Sequence, residues 1–118
     1  MNAGYGLAVR WSLVDAAPDV AAELREYVVG TSMATFMFLD GLAFKTWRMR
    51  EGEWFEGTYV FGDEQARDDF QEQFTGQAQT APGSQIVGSA PEVIETFEVV
   101  AVAEGPAQFR RGAGPLSA

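Results

Sequence analysis

The sequence predicts an α+β domain in which two helices cover one face of a four-stranded antiparallel sheet, in the order strand, helix, strand, strand, helix, strand. Three observations carry this prediction: an alternating apolar segment near the start, two further strands joined by a tight turn between positions 42 and 61, and a capped amphipathic helix directly behind them. The 118 residues suffice for one buried core and are too few for two. With 47% hydrophobic and 13% aromatic residues, the chain is too apolar to remain disordered.

The first strand, Tyr5 to Val14, places Tyr5, Leu7, Val9, Trp11 and Leu13 on one face and Ala8, Arg10 and Ser12 on the other. Pro18 then stands in a first helical turn, where proline is tolerated, and Val20, Leu24, Tyr27 and Val28 recur at helical spacing behind it. Gly30 either ends this helix or interrupts it; Met33, Phe36 and Met37 resume the period to about Phe38. Asp40-Gly41 marks a turn, after which Leu42 to Arg50 and Glu53 to Phe61 read as two strands with Glu51 and Gly52 as a two-residue loop. That loop length pairs Arg50 with Glu53, Trp47 with Glu56, Lys45 with Thr58 and Phe44 with Tyr59. Phe44, Thr46, Phe55, Gly57, Tyr59 and Phe61 then share one face, and Lys45, Trp47, Met49, Trp54, Glu56, Thr58 and Val60 the other.

Asp63 is an N-cap, Glu64 adds charge to the first turn, and Ala66, Phe70 and Phe74 form an apolar stripe before Gly76, which suits the position just past a helix end. The acidic set Asp63, Glu64, Asp68, Asp69 and Glu72 reads as the solvated side of that helix. Gln77 to Pro91, rich in Gly, Ser, Pro and Gln, reads as a lid or mobile connection, and Glu92 to Ala103 as the fourth strand. The domain is expected over 1–105, with 106–118 as a loosely held arm.

This element order is that of ferredoxin-like domains. Trp47, Met49, Trp54 and Val60 on the uncovered face, beside Lys45 and Glu56, would be an apolar exposure that monomers avoid. Two such sheets packed face to face as a homodimer would bury the aromatics and let Lys45, Arg10 and Glu56 pair.

The stretch GLAFKTWRMREGEWFEGTYVFGDEQARDDFQ resembles the hairpin and second helix of the dimeric α/β-barrel superfamily, specifically its small monooxygenases of the YdhR type. A Gly-x-x-x-Lys-x-Trp strand is matched by Gly41, Lys45 and Trp47, and a Gly-x-Tyr-x-Phe strand by Gly57, Tyr59 and Phe61. An acidic turn, here Asp63-Glu64, opens the helix, and Ala66 and Phe70 fall where it presents small and aromatic residues to the sheet. The resemblance spans roughly Tyr5 to Val102. It implies oxidation of a hydrophobic aromatic or polyketide-like compound with no metal or flavin cofactor, the substrate's own carbanion activating oxygen. Other members of the superfamily cyclise polyketides, degrade haem or have no known reaction.

A pocket between helices and sheet would take its walls from Trp11, Phe36, Phe44, Trp47, Phe61, Phe70 and Phe74, all of which also suit an ordinary core. Three polar residues, Tyr59, Lys45 and Glu95, are candidates for catalysis. Tyr59 either donates to a developing oxyanion or bonds a backbone carbonyl. Lys45 is either a base or anchor with a lowered pKa, or the partner of Glu56 or Glu95 in a salt bridge. Trp47 either lines the site or packs at a dimer seam. Glu95 and Glu98 take opposite faces of an apolar strand, which puts at least one carboxylate in an apolar setting; Glu95 as a general base competes there with a salt bridge or an exposed edge.

Composition narrows the chemistry further. Without cysteine or histidine the chain lacks thiolate ligands, the commonest zinc, copper and haem ligand, and the usual proton carrier near neutral pH. A net charge of -9 with 8 basic residues argues against nucleic acid as a partner. No apolar run approaches the roughly 18 residues that span a bilayer, and the opening MNAGYGLAVRW has no signal-peptide pattern, so a cytoplasmic location without membrane attachment is expected. Phosphate-cradling glycine loops, a GxSxG elbow and zinc motifs do not occur.

Overall fold

The computed structural model describes residues 3–108 and 112. Strand β1 (Gly4–Ser12) is followed by helix α1 (Val20–Tyr27), a π-helical turn (Val28–Ser32) and helix α2 (Met33–Met37). Strands β2 (Leu42–Arg50) and β3 (Trp54–Phe61), helices α3 (Glu64–Gly76) and α4 (Pro82–Val87) and strand β4 (Val93–Val99) complete the domain. The sheet is antiparallel throughout, in the order β2-β3-β1-β4. The α+β, ferredoxin-like expectation therefore holds. Of the expected arm, only 106–108 and 112 fall within the described residues.

Alternation in β1 does what period two requires. Leu7, Val9, Trp11 and Leu13 are buried under the helices together with Val20, Leu24, Phe55, Tyr59, Phe61 and Val87. Gly30 interrupts rather than ends the first helix: the backbone widens into the π-helical turn and resumes as α2. Asp63 caps α3 by accepting from the Gln65 N–H at 3.3 Å, as read from sequence. Gly76, however, is the last helical residue, and Gln77 follows as the cap with an ordinary negative φ.

The hairpin register differs from expectation by one residue. Gly52 adopts φ 77°, the Glu53 N–H donates to the Arg50 carbonyl at 2.9 Å, and Glu53 is an extra residue in the loop. Arg50 therefore pairs with Trp54, Trp47 with Gly57 and Lys45 with Tyr59. Because side chains alternate, this slip turns β2 over. Lys45, Trp47 and Met49 join the helix-covered face, while Phe44, Thr46 and Arg48 move to the other. An irregularity between Leu42 and Phe44 returns Leu42 to the core.

Two other expectations are corrected. The segment 77–91 is not a patternless lid: α4 lies within it, with Gly83, Ser84 and Val87 buried and Gly88 closing the helix at φ 89°. Ser84 Oγ accepts from the Trp11 indole at 3.0 Å and donates to the Ala78 carbonyl at 2.6 Å, which ties the segment to β1. Strand β4 ends at Val99 rather than Ala103.

The uncovered face carries Gly4, Gly6 and Ala8 of β1, with Phe97 lying across Gly6 so closely that a Cβ there would fall 2.0 Å from the ring. Beside them Glu56, 5% exposed, receives Arg10 Nε at 2.9 Å, Arg48 Nε at 2.7 Å and Thr58 Oγ1 at 3.0 Å. Burial opposes ionisation of Glu56, but the hydrogen bonds from Arg48, Arg10 and Thr58 outweigh it and hold the carboxyl below the usual range. Arg10 and Arg48 also stand over the Trp54 ring at 4.2 and 5.2 Å.

Candidate functional site

The register of the hairpin builds the site. Lys45 on β2 and Tyr59 on β3 are direct cross-strand partners facing the helices, and Lys45 Nζ donates to Tyr59 Oη at 3.0 Å. Gly57, the partner of Trp47, supplies the space: a Cβ there would approach Lys45 Cε at 3.2 Å and Tyr59 Cε1 at 3.4 Å. Phe36 is brought over the pair by α2. Lys45 Nζ consequently sits 3.5 Å from the Phe36 ring centroid, 4.2 Å from Tyr59 and 4.4 Å from Trp47.

The aromatic cluster continues inward. Phe70 of α3 lies 4.9 Å from Tyr59, 5.8 Å from Phe61 and 5.9 Å from Phe36, centroid to centroid. Phe74 extends it at 6.1 Å from Phe70 to Trp11 at 6.3 Å. Tyr59 and Phe61 are buried at the floor, whereas Phe36, Lys45, Trp47 and Phe70 are half-buried and reach the surface. Phe36, Trp47 and Phe70 thus form the outer side of the cluster, with the Lys45–Tyr59 pair against them.

Electrostatics separates the two partners. Burial lowers the Lys45 ammonium well below its ordinary value, because a charge loses hydration there. Burial also holds the Tyr59 phenol well above its ordinary value, with Tyr27 acting in the same direction. The phenol therefore holds its proton more tightly than an ordinary tyrosine, and the lysine holds its proton less tightly than an ordinary lysine. With the amine neutral, the phenol can donate to nitrogen; with it charged, the ammonium donates to oxygen.

Of the residues singled out from sequence, Tyr59, Lys45, Phe36, Trp47, Phe61 and Phe70 converge, and Trp11 and Phe74 extend the same cluster. Phe44 and Glu95 do not. Phe44 pairs with Val60 on the uncovered face, a result of the register slip. Glu95 pairs with Ala8 on that same face and is exposed, and Glu98 opposite it is exposed as well, so neither carboxylate has the apolar surroundings expected of it. Lys45 pairs with neither Glu56 nor Glu95: Glu56 is on the far side of the sheet, held by Arg10 and Arg48. Tyr59 bonds Lys45 rather than a backbone carbonyl. Sequence reading missed the role of Gly57 as the gap for the lysine stem; a glycine inside a strand was the available signal.

An open depression of about 610 Å³ lies on the uncovered face, lined by Ala8, Arg10, Arg48, Glu56, Thr58 and Phe97 among others. Its floor is the ion-pair network rather than an apolar wall. Among the described residues no group of three or more acidic side chains is arranged to hold a metal ion. None of the helices there is long and apolar enough to cross a membrane.

No family model and no curated protein sequence matches the chain. Solved structures do. A protein of unknown function from Nitrosomonas europaea is similar over 86% of this chain and 94% of its own, at 20% identity and a TM-score of 0.65. The monooxygenase ActVA-Orf6 of Streptomyces coelicolor, solved with nanaomycin D, is similar over 97% and 93% at 16% identity and a TM-score of 0.54. A dimeric ferredoxin-like protein from an uncultured marine organism is similar over 92% and 93% at 12% identity and a TM-score of 0.50. At these identities the likeness establishes the fold.

Proposed function

We propose that this chain is a small cofactor-independent monooxygenase of the YdhR type that works as a homodimer in the cytoplasm on a hydrophobic aromatic or polyketide-like compound. The observation that carries the reading is the Lys45–Tyr59 pair, 3.0 Å apart, at the floor of the aromatic cluster. The likeness to the fold of a monooxygenase that binds nanaomycin D supports it. In this reading neutral Lys45 takes a proton from an activated methylene of the substrate, and Tyr59 donates a hydrogen bond to the oxygen that gains negative charge. The carbanion then reduces molecular oxygen. Methylene plus O2 becomes carbonyl plus water, the substrate supplying both hydrogens and all four electrons, so no outside reductant is needed.

The dimer takes its support from the uncovered face, where half-buried Phe44 and Trp54 and Phe97, 36% exposed, surround the ion-pair network. Trp47 and Met49 face the helices and lie outside that surface. Sedimentation at micromolar concentration is expected to report a dimer.

The test of activity is oxygen uptake with anthrone. Wild-type protein should consume one O2 per anthrone converted, and Tyr59→Phe should lower kcat by about 100-fold with a much smaller change in binding. Equal kinetics for the variant would reject the oxyanion role. Redox-neutral ring closure of a polyketide-like substrate would make the protein a cyclase instead, and tight binding without turnover a ligand-binding dimer.

A further inference from the structure

One amine stands apart in this chain. Of its 8 basic side chains seven are arginines, and Lys45 is the only lysine. A guanidinium is permanently protonated and does not condense with carbonyl compounds, whereas a neutral primary amine does. Among the described residues that side-chain amine is also the cation placed among Phe36, Trp47 and Tyr59, with a phenol as its hydrogen-bond partner. Among the described residues the ion pairs belong to arginines, so no carboxylate stabilises the charged form of Lys45. Three rings lie within 4.4 Å of the ammonium and favour its charge, yet burial prevails and the amine is held below its ordinary value.

We propose that Lys45 Nζ forms an iminium with a ketone or aldehyde carbon of a small hydrophobic substrate, with Tyr59 Oη carrying protons for the condensation. The inference rests on the site described above and gives its substrate a required group, an enolisable carbonyl. The amine adds to the carbonyl carbon, forming the C–N bond, and one Nζ proton passes to the carbonyl oxygen to give a carbinolamine. Tyr59 then gives its phenolic proton to that hydroxyl, the C–O bond breaks, and water leaves. A phenolate, costly alone in this setting, is formed beside the iminium cation that balances it. It takes a proton from the carbon next to the iminium, which restores Tyr59 and leaves a neutral enamine. The sum is carbonyl compound plus amine giving enamine plus water, with no change of oxidation state. The 3.0 Å contact keeps the phenol within reach of the groups that exchange protons in these steps. An enamine carbon is a carbanion equivalent, the species that both oxygenation and aldol closure consume.

The test uses pentane-2,4-dione, which forms a stable enaminone with a primary amine, read by near-ultraviolet absorbance and located by peptide mass mapping. The N-terminal amine of the same chain is the internal reference. At pH 7 an ordinary lysine is free base in roughly one molecule in 2,500, and an α-amine in about one in five to ten. The expected result is labelling of Lys45 at a rate equal to or above that of the terminal amine. Tyr59→Phe should slow the Lys45 adduct about tenfold or more without altering the terminal one, and Lys45→Arg should show no adduct on that peptide. No labelling of Lys45, or labelling hundreds of times slower than the terminus, overturns the proposal. Oxygen uptake with anthrone separates it from the broader reading. If Lys45→Arg, whose permanently protonated guanidinium neither condenses with a carbonyl nor takes a proton, retains full uptake, the iminium and the base role of Lys45 are both rejected while oxygenation itself stands. If wild-type protein forms the adduct but consumes no oxygen, the iminium stands and the monooxygenase falls.

Discussion

Lys45→Met is expected to change how stability depends on pH, in a direction set by burial. In the unfolded chain Lys45 titrates near its ordinary value of 10.5, whereas in the folded chain burial holds it well below that. Between those two points the unfolded state binds one more proton than the folded state, so stability rises with pH across the window and the rise is complete above 10.5. One proton corresponds to at most about 1.4 kcal/mol per pH unit within that window. Groups common to wild type and variant cancel in the comparison, and Tyr59 opposes the trend only above the ordinary phenol range. Urea titrations followed by tryptophan fluorescence at fixed protein concentration, from pH 6 to pH 9.5, would measure the effect. Wild-type stability minus that of Lys45→Met should grow with pH toward 10.5. Parallel pH profiles would show that the ammonium is as well solvated folded as unfolded, and the enclosure described for it would be wrong.

Other perturbations follow from single contacts. Glu56→Gln removes the charge held by Arg10, Arg48 and Thr58 and should cost about 1–3 kcal/mol by urea midpoint, moderated by the exposure of Arg48. Because the Glu56 carboxyl lies below its unfolded value, its contribution is present above about pH 4.5 and is lost as pH falls through the folded value, so the gap between variant and wild type should close in acid. Gly41→Ala places a side chain at φ 85° with its Cβ 2.5 Å from that of Ala66 and should destabilise by about 1–3 kcal/mol, visible as a lower Tm. Ser84→Ala leaves the Trp11 indole N–H without its 3.0 Å acceptor, which should cost about 1–3 kcal/mol and loosen α4, read as faster hydrogen exchange over 82–87.

Local patterning made the large features legible. Alternation from Tyr5 to Leu13, the Asp63 cap and the spacing of Ala66, Phe70 and Phe74 each reflect a nearest-neighbour rule, and each element formed where that rule placed it. Composition was equally decisive for chemistry, since a chain without histidine or cysteine has to draw on a lysine, a phenol or a carboxylate. The reading of β2 failed through one residue. Counting Glu53 as strand instead of loop turned Lys45, Trp47 and Met49 outward and Phe44 inward, because the pleat converts a shift of one into a change of face. Nothing local distinguishes the two registers; burying Trp47 and Met49 against Phe36 and the core does.

The amino-acid order by itself determined the four strands, the capped helix behind the hairpin and the short list of groups able to do chemistry, since periodicity, capping and side-chain type are properties of neighbouring residues; helix α4 it did not reveal. Tertiary structure alone decided which of those groups meet. Lys45 reaches Tyr59, Glu56 reaches Arg10 and Arg48, and Ser84 reaches Trp11 only through pairings of strands and packing of helices from distant parts of the chain, where burial free energy rather than local preference selects the arrangement.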